Sequence, residues 1–214
     1  TPKPSSAASD VYKRQHVDIL HGAMGMALYF LEKGASTYAE KVIDRLNITA
    51  KREENRCYWS TFDFFKTKAY KIDFGLAHGN AGIQYFLGKC LKHNIQTDTC
   101  KELLEESLNF YRHNTQELGV IKSYYPTMLL EDDYRNGTTK PETSRVAWCY
   151  GDLGILHTHL LLADVLQDDA LQEETMTKLK QVAGRRLVAE TMHHDAGLCC
   201  LLYTSPSPRD LSTS

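Results

Sequence analysis

Three stretches of the sequence place a side chain that can bind a metal or move a proton directly before two glycines spaced G-x-x-G. They read DILHGAMG (18–25), LAHGNAG (76–82) and WCYGDLG (148–154), and a fourth copy begins at AGLC (196–199). The side chains at these positions belong to Asp18, His21, His78, Cys149, Tyr150 and Cys199. Thiolate sulfur and imidazole nitrogen are donors that suit zinc, so two thiols with an imidazole predict a zinc centre. Three protein ligands and one open position would make that centre catalytic.

Each glycine pair is followed by an apolar stretch that predicts a buried helix, and then by a second helix with one apolar face. Capping boxes at 37–40 and 99–102, and Asp168 or Asp169, predict where the second helices begin. Their apolar faces consist of Ala39, Val42, Ile43 and Leu46, of Leu103, Leu104, Leu108 and Tyr111, and of Leu171, Leu179 and Val182. Repeated helix pairs predict an all-α fold, a partial α/α toroid whose ring is incomplete and whose inner helix ends converge. Only the aromatic segment 57–74 suggests extended structure.

The composition fits one globular domain and excludes several classes of protein. Of 214 residues, 42% are hydrophobic and 24% are charged, and the formal net charge is −2. This charge creates no field that would attract nucleic acid or a membrane surface, so neither is expected as a partner. No apolar run reaches ~18 residues, so no membrane insertion is expected. Six cysteines are too few for a disulfide scaffold, which favours a reducing, cytoplasmic location.

The two ends of the sequence differ from the rest. Residues 1–15 and 200–214 lack hydrophobic periodicity and are rich in Ser and Pro, a composition typical of disorder. Both also resemble translated adapter sequence rather than natural protein. The predicted organisation is therefore a non-native segment 1–15, a folded segment 16–199 and a non-native segment 200–214.

The stretches RVAWCYGDLGI, LAHGNAGI, DILHGAMG and AGLC together resemble the lanthionine synthetase C-like family. The resemblance implies that Cys149 and Cys199 are zinc ligands, with a histidine expected directly after the second cysteine. Cys200 occupies that position, so the third ligand is missing. The resemblance also implies that His78 is an acid/base histidine and that Asp18 and Arg145 line the site. Members of the family are longer than this chain, which resembles an internal fragment with its ring edges open.

The activity implied by the resemblance is zinc-dependent cyclisation of a dehydrated precursor peptide, with a dehydratase as a possible partner. A cysteine thiol would add to dehydroalanine or dehydrobutyrine and form a lanthionine or methyllanthionine thioether, although the truncated chain is expected to be inactive. Two alternatives remain: transfer of glutathione or another thiol to dehydrated residues, and peptide binding without chemistry. An α/α-toroid glycosidase is a weaker alternative, because it needs paired carboxylates and only Asp18 and Asp152 are candidates.

Overall fold

The computed structural model describes residues 18–20, 22–64 and 66–192. Thirteen elements follow one another within these ranges. They are α1 (Ala23–Glu32), α2 (Thr37–Thr49), β1 (Lys51–Glu53), β2 (Arg56–Tyr58), β3 (Thr61–Phe62), β4 (Tyr70–Asp73), α3 (Asn80–Lys92), α4 (Thr97–His113), β5 (Met128–Leu130), α5 (Glu131–Arg135), α6 (Asp152–Leu166), α7 (Asp169–Val182) and α8 (Val188–Thr191). The predicted domain boundaries after residues 15 and 199 lie outside the described ranges.

The long helices form three pairs, as the repeat predicts. Within the pairs, α1 packs on α2, α3 on α4 and α6 on α7. The first helices of the pairs also lie side by side, with α3 between α1 and α6. Ten of the residues of α3 are buried, whereas α4 buries the single face that carries Leu103, Leu104 and Leu108. The helical class and the arrangement of inner and outer helices predicted from the sequence are therefore confirmed.

The outer helices bury the predicted faces but begin at other residues than the capping boxes indicate. Helix α2 starts at Thr37 with Ser36 as its N-cap, and the Ser36 hydroxyl donates a hydrogen bond to Glu40 (2.8 Å). Helix α4 starts at Thr97, so Thr99 lies within the first turn and is not the cap. The prediction for α7 is correct, because the Asp168 carboxylate accepts a hydrogen bond from the amide of Leu171 (2.9 Å). Apolar periodicity thus located the buried faces better than capping motifs located the ends.

Two small antiparallel sheets interrupt the helical pairs. Strands β1 and β2 form a hairpin, and β3, β4 and β5 form a sheet in that order. The aromatic segment 57–74 contains most of this structure, as predicted, whereas β1 and β5 lie outside it. The Asn80 side chain joins the strands to the start of α3, since it donates to the carbonyls of Trp59 (2.9 Å) and Asp73 (2.8 Å) and accepts from the Trp59 amide (2.8 Å).

The second glycine of each G-x-x-G pair leaves room for a carbonyl group of the preceding turn. A Cβ atom on Gly25, Gly82 or Gly154 would overlap the carbonyl oxygen six residues earlier in the chain. A Cβ on Gly154 would also lie 3.0 Å from Cβ of Leu76, which belongs to the preceding repeat. The repeated glycines therefore allow each turn to fold back on the first turn of its inner helix and to pack against the neighbouring repeat. Among the first glycines, Gly151 has a left-handed backbone, with φ of +122°.

Candidate functional site

Backbone hydrogen bonds join the three turns that precede the inner helices. The amide of Ile19 donates to the carbonyl of Ala77 (3.3 Å), and the amide of Ala77 donates to the carbonyl of Cys149 (3.3 Å). These residues come from three different repeats, so the starts of α1, α3 and α6 lie next to one another. Asp18, His78 and Cys149, which these turns carry, therefore lie at one end of the inner helices, as expected for converging helix ends.

Asp18 and His78 form a carboxylate–imidazole pair at this end. His78 Nδ1 lies 3.3 Å from Asp18 Oδ2, and the side chains are 23% and 11% exposed. Because a carboxylate accepts only, this geometry favours the proton on Nδ1 and leaves Nε2 as the nitrogen that can face a substrate. The imidazole ring also packs against Tyr150, with ring centroids 5.6 Å apart. A partly exposed imidazole oriented by a carboxylate has the form of a general acid–base group.

Cys149 lies on the third turn, and its backbone carbonyl accepts the hydrogen bond from Ala77 on the second turn. The residue is 6% exposed and packs with Ala77 and Ala147. Its thiol suits a zinc ligand, because it is a soft donor on a turn that hydrogen bonds hold to its neighbour. Within the described ranges, no three His, Cys, Asp or Glu residues are grouped as a metal site. Cys199 and Cys200 lie outside those ranges, so the described residues supply one fitting donor and do not complete a zinc centre.

Tyr150 is the site residue that the sequence prediction left without a role. Burial raises the pKa of its phenol to about 12, and the negative charges of Asp73, Cys149 and Asp18 act in the same direction, whereas Arg145 lowers it. The phenol is thus protonated at neutral pH and lies among the predicted site residues. The repeat could have indicated it, because Tyr150 occupies the position before the glycine that His78 occupies in the second copy.

Arg145 and Asp73 approach the same region from different segments. The Arg145 side chain is exposed and its positive charge acts on Tyr150. Asp73 ends β4, is 6% exposed and pairs with Lys71 (Nζ to Oδ2, 3.0 Å). Burial raises the pKa of the Asp73 carboxyl, against the effect of Lys71. Asp73 therefore adds a second carboxylate beside the predicted set, one that no sequence motif indicated.

The structure gives Asp152 and the histidines of α6 other surroundings than the site. The Asp152 carboxylate is fully buried and accepts hydrogen bonds from the backbone amides of Tyr124 (3.0 Å) and Tyr125 (3.1 Å). Both oxygens are thereby committed, which removes support for an Asp18–Asp152 glycosidase pair. His157 is exposed and stacks on Tyr85, while His159 is buried beneath Tyr111 and Tyr125. His21 lies outside the described residues.

None of the helices within the described ranges combines the length and apolar character needed to cross a membrane.

Comparisons with known proteins agree with the fold and the motifs. Residues 5–200 match the sequence profile of the family described as lanthionine synthetase C-like protein. A search of solved structures matches nisin cyclase, with a TM-score of 0.65 and 22% sequence identity. That match covers 79% of this chain but only 45% of nisin cyclase, so the chain spans less than half of that protein. At this identity the structural match establishes the fold, whereas the family match extends over nearly the whole sequence. The chain therefore belongs to the lanthionine synthetase C-like family.

Proposed function

We propose that this chain carries part of the active site of a peptide cyclase that forms thioether rings in a dehydrated precursor peptide. The observation that carries the proposal is the Asp18–His78 pair beside Tyr150 and the Cys149 turn, on three adjoining helix starts. Family membership and the likeness to nisin cyclase support a lanthionine-forming reaction in preference to other uses of an acid–base pair. The expected partner is a dehydratase, which would prepare the dehydrated peptide.

The reaction adds the S–H bond of a peptide cysteine across the C=C bond of dehydroalanine or dehydrobutyrine. A C–S bond forms at the β-carbon and the π electrons move to an enolate, which then takes a proton at the α-carbon. No atom is lost, so the product has the mass of the starting peptide. The protein must therefore supply a deprotonated thiol, stabilise the enolate and deliver one proton.

His78 is suited to deliver that proton. Asp18 orients the ring through Nδ1–H, so Nε2 can take up the proton that the substrate thiol releases and then, as part of the imidazolium, deliver it to the α-carbon. The protonated phenol of Tyr150 and the guanidinium of Arg145 can donate hydrogen bonds to the enolate oxygen. Asp18 acts on the imidazole rather than on the substrate, because its Oδ2 faces Nδ1.

The thiol requires a separate source of activation, since a free cysteine is mostly protonated at neutral pH. We propose Cys149 and Cys199 as ligands of a zinc ion, and a bound zinc would favour the thiolate form of the substrate cysteine. Cys200 stands where the resemblance implies a histidine ligand, so we expect weak zinc binding and no cyclisation from the 214-residue chain as it is.

Zinc binding tests this proposal directly. Replacing Cys200 by histidine should raise the zinc content from well below one to about one ion per chain, measured by elemental analysis after dialysis. Adding Cys149→Ala should abolish the gain, whereas Cys57→Ala, which removes a buried thiol bonded to the Leu103 carbonyl, should leave it intact. A folded Cys200→His chain without stoichiometric zinc would contradict the proposed centre.

Activity tests the acid–base role in the zinc-loaded Cys200→His chain. Because the mass does not change, ring formation is followed by the loss of a peptide thiol that N-ethylmaleimide can label. His78→Ala should slow the disappearance of this thiol by ~10²–10⁴-fold, the usual contribution of a general acid. His157→Ala is the matched control, since that imidazole is exposed on α6 and stacks on Tyr85. Equal rates for the two variants would refute the assignment of His78.

A further inference from the structure

We infer that Arg185 is a positioning residue, which clamps the turn carrying Cys149 to the segment that leads towards Cys199. Arg185 lies between α7 and α8, away from every sequence motif of the site. Its guanidinium bonds to three separate segments of the chain: the start of α6, the residues before the Cys149 turn and the end of α8. The functional meaning of the clamp rests on the proposed function, whereas the clamp itself can be tested without it.

The first contact is with Asp152, the first residue of α6. Arg185 Nη1 lies 3.4 Å from Asp152 Oδ2, and the two side chains are 6% and 0% exposed. The same carboxylate accepts the amides of Tyr124 and Tyr125, so it is held from two sides. Asp152 follows Cys149 by three residues, with the left-handed Gly151 between them. The ion pair therefore fixes the point at which the Cys149 turn enters its helix.

The second and third contacts are with backbone carbonyl groups. Arg185 Nη2 donates to the carbonyl of Ser144 (2.6 Å), one residue before Arg145. Nε donates to the carbonyl of Glu190 (2.8 Å), and Nη2 also faces that oxygen. The neighbouring amide of Val146 donates to the carbonyl of Thr191 (3.0 Å). One planar guanidinium thus holds two chain segments together, and a backbone hydrogen bond continues the contact.

Further contacts show that the segment before Cys149 is fixed along its length. The amide of Ser144 donates to Ser123 Oγ (2.8 Å), and the amide of Glu142 donates to Gln116 Oε1 (2.8 Å). Residues 142–146 are therefore held by side chains and backbone groups of other segments, and not by the hydrogen bonds of a sheet. Within this arrangement Arg185 bonds both sides of the Cys149 turn and the Glu190 carbonyl in α8.

The geometry requires arginine specifically. A lysine has one nitrogen, which cannot bond a carboxylate and two carbonyl groups at separate positions, whereas the guanidinium has donors in a fixed planar fork. Because Asp152 is fully buried, loss of the guanidinium leaves its charge without the ionic partner. The expected result is local opening of the Cys149 turn before the rest of the fold.

Cysteine reactivity provides the test, using the metal-free 214-residue chain. Alkylation with iodoacetamide is followed for each cysteine by mass spectrometry of peptides. Arg185→Met should accelerate labelling of Cys149 at least about tenfold, because it removes all the guanidinium contacts and the loss of a single charge-assisted hydrogen bond already has that effect on a local opening. Cys57, Cys90 and Cys100 are internal controls, since they are fully buried and burial raises the pKa of each thiol. Their labelling should stay slow.

Two further variants separate positioning from general destabilisation. Arg185→Lys retains the charge and should give an intermediate rate, and it remains informative if Arg185→Met does not fold. Arg52→Met is the matched control, because Arg52 also makes three hydrogen bonds, to Glu106 and Asn47, but on another part of the fold. It should leave Cys149 labelling unchanged.

The inference is overturned if Arg185→Met leaves the Cys149 rate unchanged or accelerates all four thiols in parallel. The absence of zinc from the Cys200→His chain would instead defeat the proposed function. Since the labelling uses metal-free protein, the two failures are distinguishable.

Discussion

Lowering the pH from 7 to 5 should destabilise the protein through one buried histidine. His159 lies on the inner helix α6 and is 4% exposed, with its ring packed edge to face against Tyr111 (centroids 5.2 Å apart) and Tyr125 (6.0 Å). Burial lowers its pKa to about 3, and the positive charges of Lys178 and Arg112 act in the same direction. The folded protein therefore keeps this imidazole neutral.

The sign and size of the effect follow from the two pKa values. In the unfolded chain the imidazole has the ordinary histidine pKa of 6.5, so below that pH the unfolded state binds a proton that the folded state does not. The contribution of His159 to the unfolding free energy is therefore fully present above pH 6.5 and is lost as the pH falls towards 3. At pH 5 the loss is about 2 kcal/mol, and it increases by about 1.4 kcal/mol for each further pH unit.

Urea denaturation of wild type and His159→Leu at pH 7 and pH 5 isolates this contribution. On going from pH 7 to pH 5, the unfolding free energy of wild type should fall by about 2 kcal/mol more than that of His159→Leu, because only wild type can protonate residue 159. Asp152 acts oppositely, since burial raises its pKa to about 6, but it is present in both proteins and cancels. Equal pH dependence of the two proteins would refute a neutral buried imidazole.

Two substitutions test the packing that builds the site. Gly154→Ala places a methyl group against the carbonyl oxygen of Trp148, and the strain should cost ~1–3 kcal/mol in chemical denaturation. Gly119→Ala, where nothing lies near the added atom, should change stability by less than ~0.5 kcal/mol, and similar costs would contradict the close fit. Asn80→Ala removes three buried hydrogen bonds and should cost ~2–4 kcal/mol, whereas Asn109→Ala, which loses two exposed hydrogen bonds, should cost under ~1 kcal/mol. Equal melting curves for the two asparagine variants would count against a joining role for Asn80.

Some contacts of the site were predictable because they repeat a local pattern. The turns of the second and third copies meet as predicted, since each begins an inner helix, and Asp18 reaches His78 from the first copy. The positions of Asp73 and Arg185 were not predictable in this way. Asp73 approaches from a strand, and Arg185 contacts Ser144 and Asp152, which precede it by 41 and 33 residues. Hydrophobic periodicity carries no information about such contacts. The roles of Asp18, His78, Arg145, Cys149 and Cys199 stay predictions.

The sequence by itself determined the helical pairs, their buried faces and the glycine turns, because side-chain periodicity and the lack of a Cβ act over a few residues. It also determined which side chains precede the turns. Only the tertiary structure decided that Asp152 holds a loop and a guanidinium while Asp18 orients His78. Both are carboxylates close to a glycine pair, and what distinguishes them is the partner that distant segments bring to each.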